Sequence, residues 1–313
     1  MKPALLVLNL QVPAHLQQMA QTFPDFEVIY APEADQCEAA IAAHGARVQC
    51  VCTIGSTGLS AAQMQRMPKL SLVCAMGAGY ENIDVAYAKA HGIAVGNGAG
   101  TNDECVADHA MGLMIAAVRG IVRYDKATRA GTWRSALPLP PNVSGKRLGI
   151  VGLGTIGAKI AKRAAAFDMP VGYHNRKPRE GVSHQYFDSL LALAAWADVL
   201  LVATLGGAGT SHLINAEVLD ALGEKGFLVN IARGSVVDTQ ALAEAVRSGR
   251  VAGAGLDVYE SEPLPPQDLL DLDAVVLTPH VAGWSPEAVQ NSVDRFIANM
   301  RRHLDGQPLV SPI

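Results

Sequence analysis

The chain has no block of basic residues, and its charge is sparse and nearly balanced. Charged side chains make up 17% of the 313 residues, and 29 acidic against 25 basic side chains leave a formal net charge of −4 at pH 7. A surface that binds nucleic acid or another polyanion typically carries a basic patch or stripe. The sequence therefore predicts no nucleic acid among its partners.

Cysteine is also scarce, and its spacing is not that of a metal site. The chain has five cysteines, an odd number, and no two of them form a CxxC pair. Zinc sites and redox-active dithiols are usually built on such pairs. We therefore expect buried thiols in a reducing cytoplasm and no bound metal. The five are Cys37, Cys50, Cys52, Cys74 and Cys105.

Long uninterrupted apolar runs are missing as well. The most apolar window, residues 190–205, is broken by Trp196, Ala197 and Asp198, which favours a helix followed by a buried strand over a membrane span. The N-terminus enters a strand-like run without the length or cleavage pattern of a signal peptide. These features predict a cytoplasmic protein that has no membrane partner.

A glycine-rich motif at residues 146–177 organises the second half of the chain. A short apolar run, Leu148–Val151, precedes Gly152, Gly154 and Gly157, and a helical pattern and a second strand at 171–173 follow. Strand, GxGxxG turn, helix and strand form the βαβ unit that cradles a dinucleotide pyrophosphate. A plain glycine turn is the alternative. The predicted cofactor contacts are Gly152, Leu153, Gly154, Thr155, Ile156 and Gly157.

Strand and helix patterns alternate on both sides of this motif, which predicts parallel sheets covered by helices. We expect an α/β protein of two doubly wound domains: a flavodoxin-like substrate domain at 1–99 and 284–313, and a Rossmann dinucleotide-binding domain at 100–283 inserted in it. The predicted strands are 4–9, 27–30, 48–54, 70–75 and 93–95 in the first domain. In the second they are 148–151, 171–173, 199–204, 227–231, 254–258 and 275–278.

Several helix boundaries follow from local side chains. Ser60, Asp84 and Asp188 are predicted N-caps, and Thr101 with Glu104 has the spacing of a capping box. The helices of 102–133 could form either a dimer surface or part of the core. The last helix begins at Ser285-Pro286, and its predicted apolar stripe is Val289, Val293, Phe296, Met300 and Leu304.

Three loops after late strands carry polar side chains at the edge where open α/β sheets bind ligands. Arg233 can hold a carboxylate and polarise a ketone, His280 can transfer a proton, and Glu262 can orient His280 and raise its pKa. Taken singly, Arg233 could belong to a surface ion pair, Glu262 could be a solvated loop charge and His280 could be a core imidazole. Their joint occurrence at successive strand ends predicts reduction of a 2-oxo acid.

An earlier loop, at residues 76–82, also follows a strand. Its small residues leave backbone N–H groups accessible, as a carboxylate-binding loop requires, although a simple glycine-rich connector would look the same. The predicted substrate contacts are Met76, Gly77, Ala78 and Gly79.

Together, the motifs at 151–157, 230–234, 257–263 and 279–283 resemble those of the D-isomer-specific 2-hydroxyacid dehydrogenase family, over nearly the whole chain. The resemblance implies the Arg233, Glu262 and His280 roles above and substrate binding by the N–H groups of Ala78 and Gly79. It places Asp257 near the nicotinamide carboxamide and implies a homodimer. Further cofactor contacts expected from it are Thr204, Ile231, Ala232 and Gly283.

The end of the second strand of the βαβ unit bears on cofactor choice. An NAD-specific site normally has an acidic residue there, whereas this chain has His174, Asn175, Arg176 and Lys177 and no carboxylate before Glu180. A guanidinium suits a 2′-phosphate, so these four residues predict a preference for NADPH, with NADH possible. A solvated basic loop is the alternative.

The sequence thus predicts a reductase of small 2-oxo acids, of the glyoxylate or hydroxypyruvate type that the 76–82 loop and Asn175-Arg176 most resemble. A reductase of bulkier aryl or sugar-derived 2-oxo acids is an alternative from the same class. A nucleotide-sensing, non-catalytic relative, as in corepressors that resemble this family, is an alternative from a different one.

Overall fold

A computed structural model describes the whole chain, Met1–Ile313. The chain divides into two compact units, one made of Met1–Asn102 with Gly283–Ile313 and the other of Asp103–Ala282. The second unit is therefore an insertion in the sequence of the first. Each unit contains one sheet, and all strand pairings within the two sheets are parallel. The predicted class, an α/β protein with two parallel-sheet domains, is confirmed.

The first unit has a five-stranded sheet in the order β2-β1-β3-β4-β5. This is the doubly wound order of flavodoxin-like domains, with the crossovers reversing direction next to the first strand. The strands are β1 (Ala4–Val7), β2 (Glu27–Tyr30), β3 (Val48–Ile54), β4 (Leu72–Met76) and β5 (Ala94–Gly96). The helices that precede the insertion are α1 (Pro13–Thr22), α2 (Ala34–His44), α3 (Ala61–Gln65) and α4 (Val85–Ala90).

The second unit has a seven-stranded sheet in the order β12-β11-β10-β9-β6-β7-β8. Read from β8, six of these strands have the Rossmann order, and β12 adds a seventh. The strands are β6 (Leu148–Val151), β7 (Val171–His174), β8 (Gln185–Tyr186), β9 (Val199–Val202), β10 (Phe227–Asn230), β11 (Gly253–Leu256) and β12 (Val275–Leu277). The order in which strands are added to the sheet reverses between β6 and β9, so a ligand crevice is expected at the carboxyl ends of these two strands.

Four of the unit's helices lie in the crossovers between strands, and two precede its first strand. They are α5 (Asp103–Arg119), α6 (Ile121–Arg129), α7 (Thr155–Ala164), α8 (Leu190–Trp196), α9 (Ala216–Leu222) and α10 (Thr239–Arg247). Helix α5 buries Val106, Leu113 and Met114 in a core shared with β6 and β10. A Cβ on Gly255 would lie 2.8 Å from Leu113 Cγ, so helix and strand approach closely there. In contrast, α6 has no buried residue.

The final helix, α11 (Pro286–Leu304), belongs to the first unit and packs on β4 and α1. Ser285 Oγ accepts a hydrogen bond from the Ala288 N–H at 3.1 Å, and Pro286 occupies the first turn, as expected for this start. Phe296 and Met300 are fully buried, but Leu304 is 45% exposed. Its assignment to the apolar stripe was wrong, because it is the last helical residue and lies past the buried face.

Two of the predicted helix caps were also wrong. Helix α5 begins at Asp103, and the Thr101 hydroxyl donates to Gly98 O at 2.6 Å and contacts Ser292 Oγ at 2.9 Å instead of capping it. Glu104 pairs with Lys159 and Arg163. Helix α8 is capped by Ser189, whose side chain accepts from Ala192 N, and not by Asp188. Thr101 does not cap α5 because its hydroxyl binds the distant Ser292. Asp188 does not cap α8 because the neighbouring Ser189 takes that position.

No single helix is both long and apolar enough to cross a membrane. Helices α5 and α6 pass that test only as a pair bent by 60°, on length and composition alone.

Candidate active site

The glycine turn after β6 has the shape that a phosphate requires. Gly152 has a φ of +98°, and a Cβ there would lie 2.8 Å from Ala203 O. A Cβ on Gly157 would lie 2.4 Å from Gly152 O, so only glycine allows helix α7 to start this close to the strand. At Gly154, by contrast, a Cβ would meet no other atom within 4 Å. The turn is thus tight on the protein side and open on the other.

Helix α7 presents unused donors to this open side. Its first internal hydrogen bond runs from Ala158 N to Gly154 O, so the N–H groups of Thr155, Ile156 and Gly157 lie ahead of the helical ladder. Backbone donors at the positive end of a helix bind phosphate oxygens. Open space and free N–H groups fit the pyrophosphate of a dinucleotide.

The end of β7 holds the glycine turn in place. Asn175 Oδ1 accepts a hydrogen bond from the Leu153 N–H at 2.8 Å, and the ring of His174 contacts Phe187 O through Nδ1 at 2.9 Å. Arg176 and Lys177 are exposed. Asn175 therefore holds the turn, while the side chains of Arg176 and Lys177 extend into solvent.

Arg179 is a further basic residue at this site, and the sequence motifs did not predict it. Its Nη1 donates to Leu153 O at 3.0 Å and to Gly154 O at 3.2 Å, and its backbone N–H donates to the Tyr173 hydroxyl at 2.9 Å. The guanidinium thus contacts the outer side of the glycine turn. The only signal in the sequence was a third basic residue close to Arg176 and Lys177.

The remaining predicted cofactor residues of the second unit lie at neighbouring strand ends. Thr204 follows β9 beside the glycine turn, since a Cβ on Gly152 would lie 2.8 Å from Thr204 N. Ile231 and Ala232 are buried directly after β10. Gly283, in contrast, opens the second segment of the first unit.

Glu262 and His280 form a short hydrogen-bonded pair. His280 Nδ1 lies 2.8 Å from Glu262 Oε2, and the side chains are 43% (His280) and 31% (Glu262) exposed. The hydrogen bond to Glu262 raises the pKa of the imidazole above its ordinary value, against the opposing effect of burial. Burial raises the pKa of the Glu262 carboxyl, but hydrogen bonds from His280 and the Tyr259 N–H outweigh it and hold that pKa low. The pair favours a charged imidazolium beside a carboxylate.

The backbone of His280 is strained into its position. Its φ is +54°, in the left-handed region that few residues other than glycine adopt. Its N–H donates to Asp257 O at 2.8 Å, which links the loop after β12 to the end of β11. Backbone strain of this kind is common at functional sites.

Arg233 lies at the end of β10 and acts electrostatically on this pair. Its Nη1 donates to Ala232 O at 2.6 Å, and its carbonyl accepts from Asn230 Nδ2 at 3.1 Å. Its positive charge lowers the pKa values of both Glu262 and His280, as one of the smaller effects on each. The three residues predicted to be catalytic are therefore brought together within the second unit.

Asp257 is buried and holds the loop after β12, which carries His280, through hydrogen bonds. Its side chain is 1% exposed and accepts hydrogen bonds from the Thr278 hydroxyl at 2.6 Å and from the N–H groups of Val281 and Ala282 at 3.0 and 2.9 Å. His109 Nε2 lies 2.9 Å from Thr278 Oγ1 and 3.4 Å from Asp257 Oδ1. This network connects α5 to the loop on which His280 sits. The sequence alone gave His109 no role in the site, because its partners are distant in the chain.

The predicted substrate loop lies at the carboxyl end of β4 in the first unit. Met76 ends the strand, and Gly77 has a φ of +88°. The Gly77 carbonyl accepts from Gly98 N at 2.7 Å, and the Ala78 carbonyl accepts from Asn97 Nδ2 at 2.9 Å. These contacts use backbone carbonyls of the loop, whereas the N–H groups of Ala78 and Gly79 have no acceptor in the chain. Two adjacent free N–H groups fit a carboxylate.

The chain has neither a disulfide nor a cluster of side chains that could bind a metal ion. All five cysteines are free, and Cys105 Sγ donates to Ala282 O at 2.9 Å, a packing contact. No group of three or more His, Cys, Asp or Glu side chains is placed to hold a metal ion.

Comparison with known proteins identifies the family. The family model described as D-isomer specific 2-hydroxyacid dehydrogenase, NAD binding domain, matches residues 111–282. Hydroxyphenylpyruvate reductase of Plectranthus scutellarioides is 40% identical over 82% of this chain and 83% of its own length. Glyoxylate/hydroxypyruvate reductase A HPR2 of Arabidopsis thaliana is 38% identical over 86% of this chain and 87% of its own.

A solved structure shares the whole fold. The NADPH-dependent glyoxylate/hydroxypyruvate reductase of Sinorhizobium meliloti, in complex with NADP and malonate, superposes with a TM-score of 0.91 at 36% identity, over 100% of this chain and 97% of that one. The family suggested by the sequence motifs is confirmed: the chain belongs to the D-isomer specific 2-hydroxyacid dehydrogenases, enzymes that work with NAD(P).

Proposed function

We propose that this protein reduces a small 2-oxo acid of the glyoxylate or hydroxypyruvate type to the D-2-hydroxy acid, using NADPH. The observation that carries the proposal is the 2.8 Å contact between His280 and Glu262, with the Arg233 charge acting on both. The names of two similar proteins, from Arabidopsis and Sinorhizobium, support this substrate class.

His280 is the proposed acid. Because its Nδ1 faces Glu262, its Nε2 is left to donate a proton to the carbonyl oxygen during reduction and to accept it in the reverse reaction. Glu262 orients the ring and stabilises its charged form, which keeps the acid populated near neutral pH.

Arg233 and the 76–79 loop are the proposed substrate-binding groups. A guanidinium binds a carboxylate through two parallel hydrogen bonds and also polarises a neighbouring ketone. The free N–H groups of Ala78 and Gly79 supply additional donors for the carboxylate. Met76 and Gly77 complete this proposed contact set.

The glycine turn and the basic loop after β7 are the proposed cofactor-binding groups. When bound, the cofactor supplies a hydride. Arg176 and Lys177, which are exposed after β7, are the proposed partners of the 2′-phosphate, and the end of β7 has no carboxylate to repel it. A comparison of kcat/KM with NADPH and NADH tests this preference; an equal or higher value with NADH would contradict it.

The substrate proposal is tested with a panel of 2-oxo acids, followed at the nicotinamide absorbance. We expect turnover of glyoxylate and hydroxypyruvate by the wild type, and a fall of roughly a hundredfold to ten-thousandfold in His280→Asn, with NADPH binding retained. Asparagine is chosen because it tolerates the left-handed backbone at position 280. Undiminished activity in this variant would remove His280 from its role.

A bulkier substrate is the second candidate. The observation that favours it is the 40% identity to a hydroxyphenylpyruvate reductase. The same panel decides between the two, since a higher kcat/KM with aryl or sugar-derived 2-oxo acids would replace the first proposal.

We also propose a homodimer in the reducing cytoplasm. Helix α6 has no buried residue, and the segment after it exposes Trp133 by 72% and Leu139 by 96%. Exposed apolar side chains of this size commonly mark a protein interface. Sedimentation showing a monomer would contradict the dimer.

The free thiols support a reducing compartment.

A further inference from the structure

The second unit contains another short imidazole–carboxylate contact, outside the proposed catalytic residues. His212 Nε2 lies 2.6 Å from Glu260 Oε1, and His212 Nδ1 lies 3.8 Å from Asp238 Oδ2. The hydrogen bond to Glu260 raises the pKa of His212. An isolated surface ion pair with 49% and 34% exposed side chains would contribute little to stability. A role for this ion pair must therefore come from the loops that it joins.

The contact joins loops from two strands that are not neighbours. His212 lies in the connection after β9, and Glu260 lies in the loop after β11, with β10 between these strands in the sheet. The loop after β10, which carries Arg233, runs between them. His212 N donates to Ser235 O at 2.8 Å, and Glu260 Oε2 accepts from Thr239 N at 3.0 Å. The pair therefore spans the Arg233 loop and is hydrogen-bonded to that loop at Ser235 and to the first residue of α10, Thr239.

Close backbone packing makes these loops sensitive to one another. A Cβ on Gly234 would lie 2.0 Å from the carbonyl carbon of Tyr259, and one on Gly206 would lie 2.6 Å from Arg233 Cγ. The loop after β9 therefore packs closely against the side chain of Arg233, and the loop after β11 packs closely against the backbone next to Arg233. A shift of the β9 loop or the β11 loop would be transmitted to its side chain.

The loop after β11 also carries Glu262, two residues beyond Glu260. Glu262 Oε1 accepts from the Tyr259 N–H at 2.8 Å, and its Oε2 contacts His280. The Glu260 anchor thus lies within the same turn that orients Glu262. Strain in the backbone of His212, with a φ of +47°, indicates that the surrounding structure holds this residue in place.

We propose that His212 and Glu260 are positioning residues: they clamp the β9 loop to the β11 loop across the Arg233 loop and so hold Arg233 and Glu262 in their reactive places. This inference rests on the proposed function. The charged groups that face His212 are Glu260 and, more weakly, Asp238. Neither His212 nor Glu260 contacts the reacting atoms in this proposal.

The test compares His212→Ala, Glu260→Gln and the double variant with the wild type. Each is assayed for kcat and KM at saturating NADPH, with a 2-oxo acid that the wild type reduces, and for the pH dependence of kcat/KM. We expect kcat to fall by roughly tenfold to a hundredfold, as for a misplaced catalytic group, with a smaller combined loss in the double variant than the product of the two single losses. The thermal midpoint should stay close to that of the wild type.

The pH profile separates positioning from general damage. If the clamp orients Glu262, its loss lowers the pKa of His280, and the profile of reduction shifts to lower pH. His184→Gln is the matched control, because His184 directly precedes the edge strand β8, which β6 and β7 separate from β9; its kinetics should equal those of the wild type. Unchanged kcat and an unchanged profile in His212→Ala would overturn the inference.

Titration of the His280 ring by NMR provides a readout that needs no turnover. If the wild type reduces no 2-oxo acid, the proposed function is wrong. The clamp would still be supported by a lower His280 pKa in His212→Ala than in the wild type. An identical His280 titration in both proteins would end the clamp, whatever the substrate proves to be.

Discussion

The replacement Glu262→Gln tests the proposed chemistry most directly. It keeps the size of the side chain and removes its charge, so that the 2.8 Å contact to His280 Nδ1 loses its ionic character. A charge-assisted hydrogen bond contributes about 1.5–3 kcal/mol, and the 43% and 31% exposure of the two side chains screens it to about 1–2 kcal/mol. That range corresponds to a loss of roughly fivefold to thirtyfold in kcat/KM if the contact is made fully in the transition state.

The pH dependence gives this prediction its sign. The pKa of His280 is raised in the folded protein mainly by Glu262, so the variant should lose the protonated ring at lower pH than the wild type does. Reduction, which needs the acid form, should therefore decline at lower pH in Glu262→Gln. Oxidation of the hydroxy acid, which needs the neutral ring, should begin at lower pH.

The assay is steady-state kinetics of both reaction directions across the range in which imidazoles titrate. Glu217→Gln, an exposed residue in the first turn of α9, is the charge-matched control and should keep the wild-type profile. A Glu262→Gln profile identical to that of the wild type would refute the assignment of the raised His280 pKa to this carboxylate.

The Glu262–His280 pair should also make the stability of the fold depend on pH. The raised pKa of His280 stabilises the folded protein below the pKa of the unfolded chain, and this effect is lost as pH rises through the folded-state pKa. The lowered pKa of Glu262 stabilises the folded protein above the pKa of the unfolded chain, and this effect is lost as pH falls through the folded-state pKa. The Tm difference between wild type and Glu262→Gln should thus be largest at intermediate pH. Arg176→Ala should weaken NADPH binding by roughly tenfold to a hundredfold and leave NADH binding unchanged, as measured by nicotinamide fluorescence. Arg179→Ala removes two hydrogen bonds to the glycine turn and should weaken the binding of NADPH and of NADH to the same extent. Gly157→Ala forces a Cβ to within 2.4 Å of Gly152 O and should lower the unfolding free energy by about 1–3 kcal/mol, measured by denaturant titration.

Much of the fold could be predicted from the sequence because its signals are local. Ser60, Asp84 and Ser285 cap the helices that follow them, as the residue types suggested, and the strand of Leu148–Val151 leads into the glycine turn as expected. Each of these depends on neighbours within a few residues. The pattern of apolar residues then determines which face is buried.

The errors and omissions share the opposite property. The Thr101 hydroxyl binds Ser292, 191 residues away, and this contact replaces the expected capping box. His109 reaches Thr278 across 169 residues, and His212 reaches Glu260 across 48. No spacing rule connects such residues, because their proximity is created by the sheet order. Strand β8 was missed because two residues are too short to show a period.

The insertion of one unit into the other has a consequence for synthesis. One face of the first sheet, including the thiols of Cys50, Cys52 and Cys74, is covered by Val293, Phe296 and Met300 of α11. On the ribosome that helix emerges only after the entire Asp103–Ala282 unit has been made. The strands of the first sheet are therefore made long before the helix that covers this face, and those three cysteines stay accessible to alkylation until α11 has been synthesised.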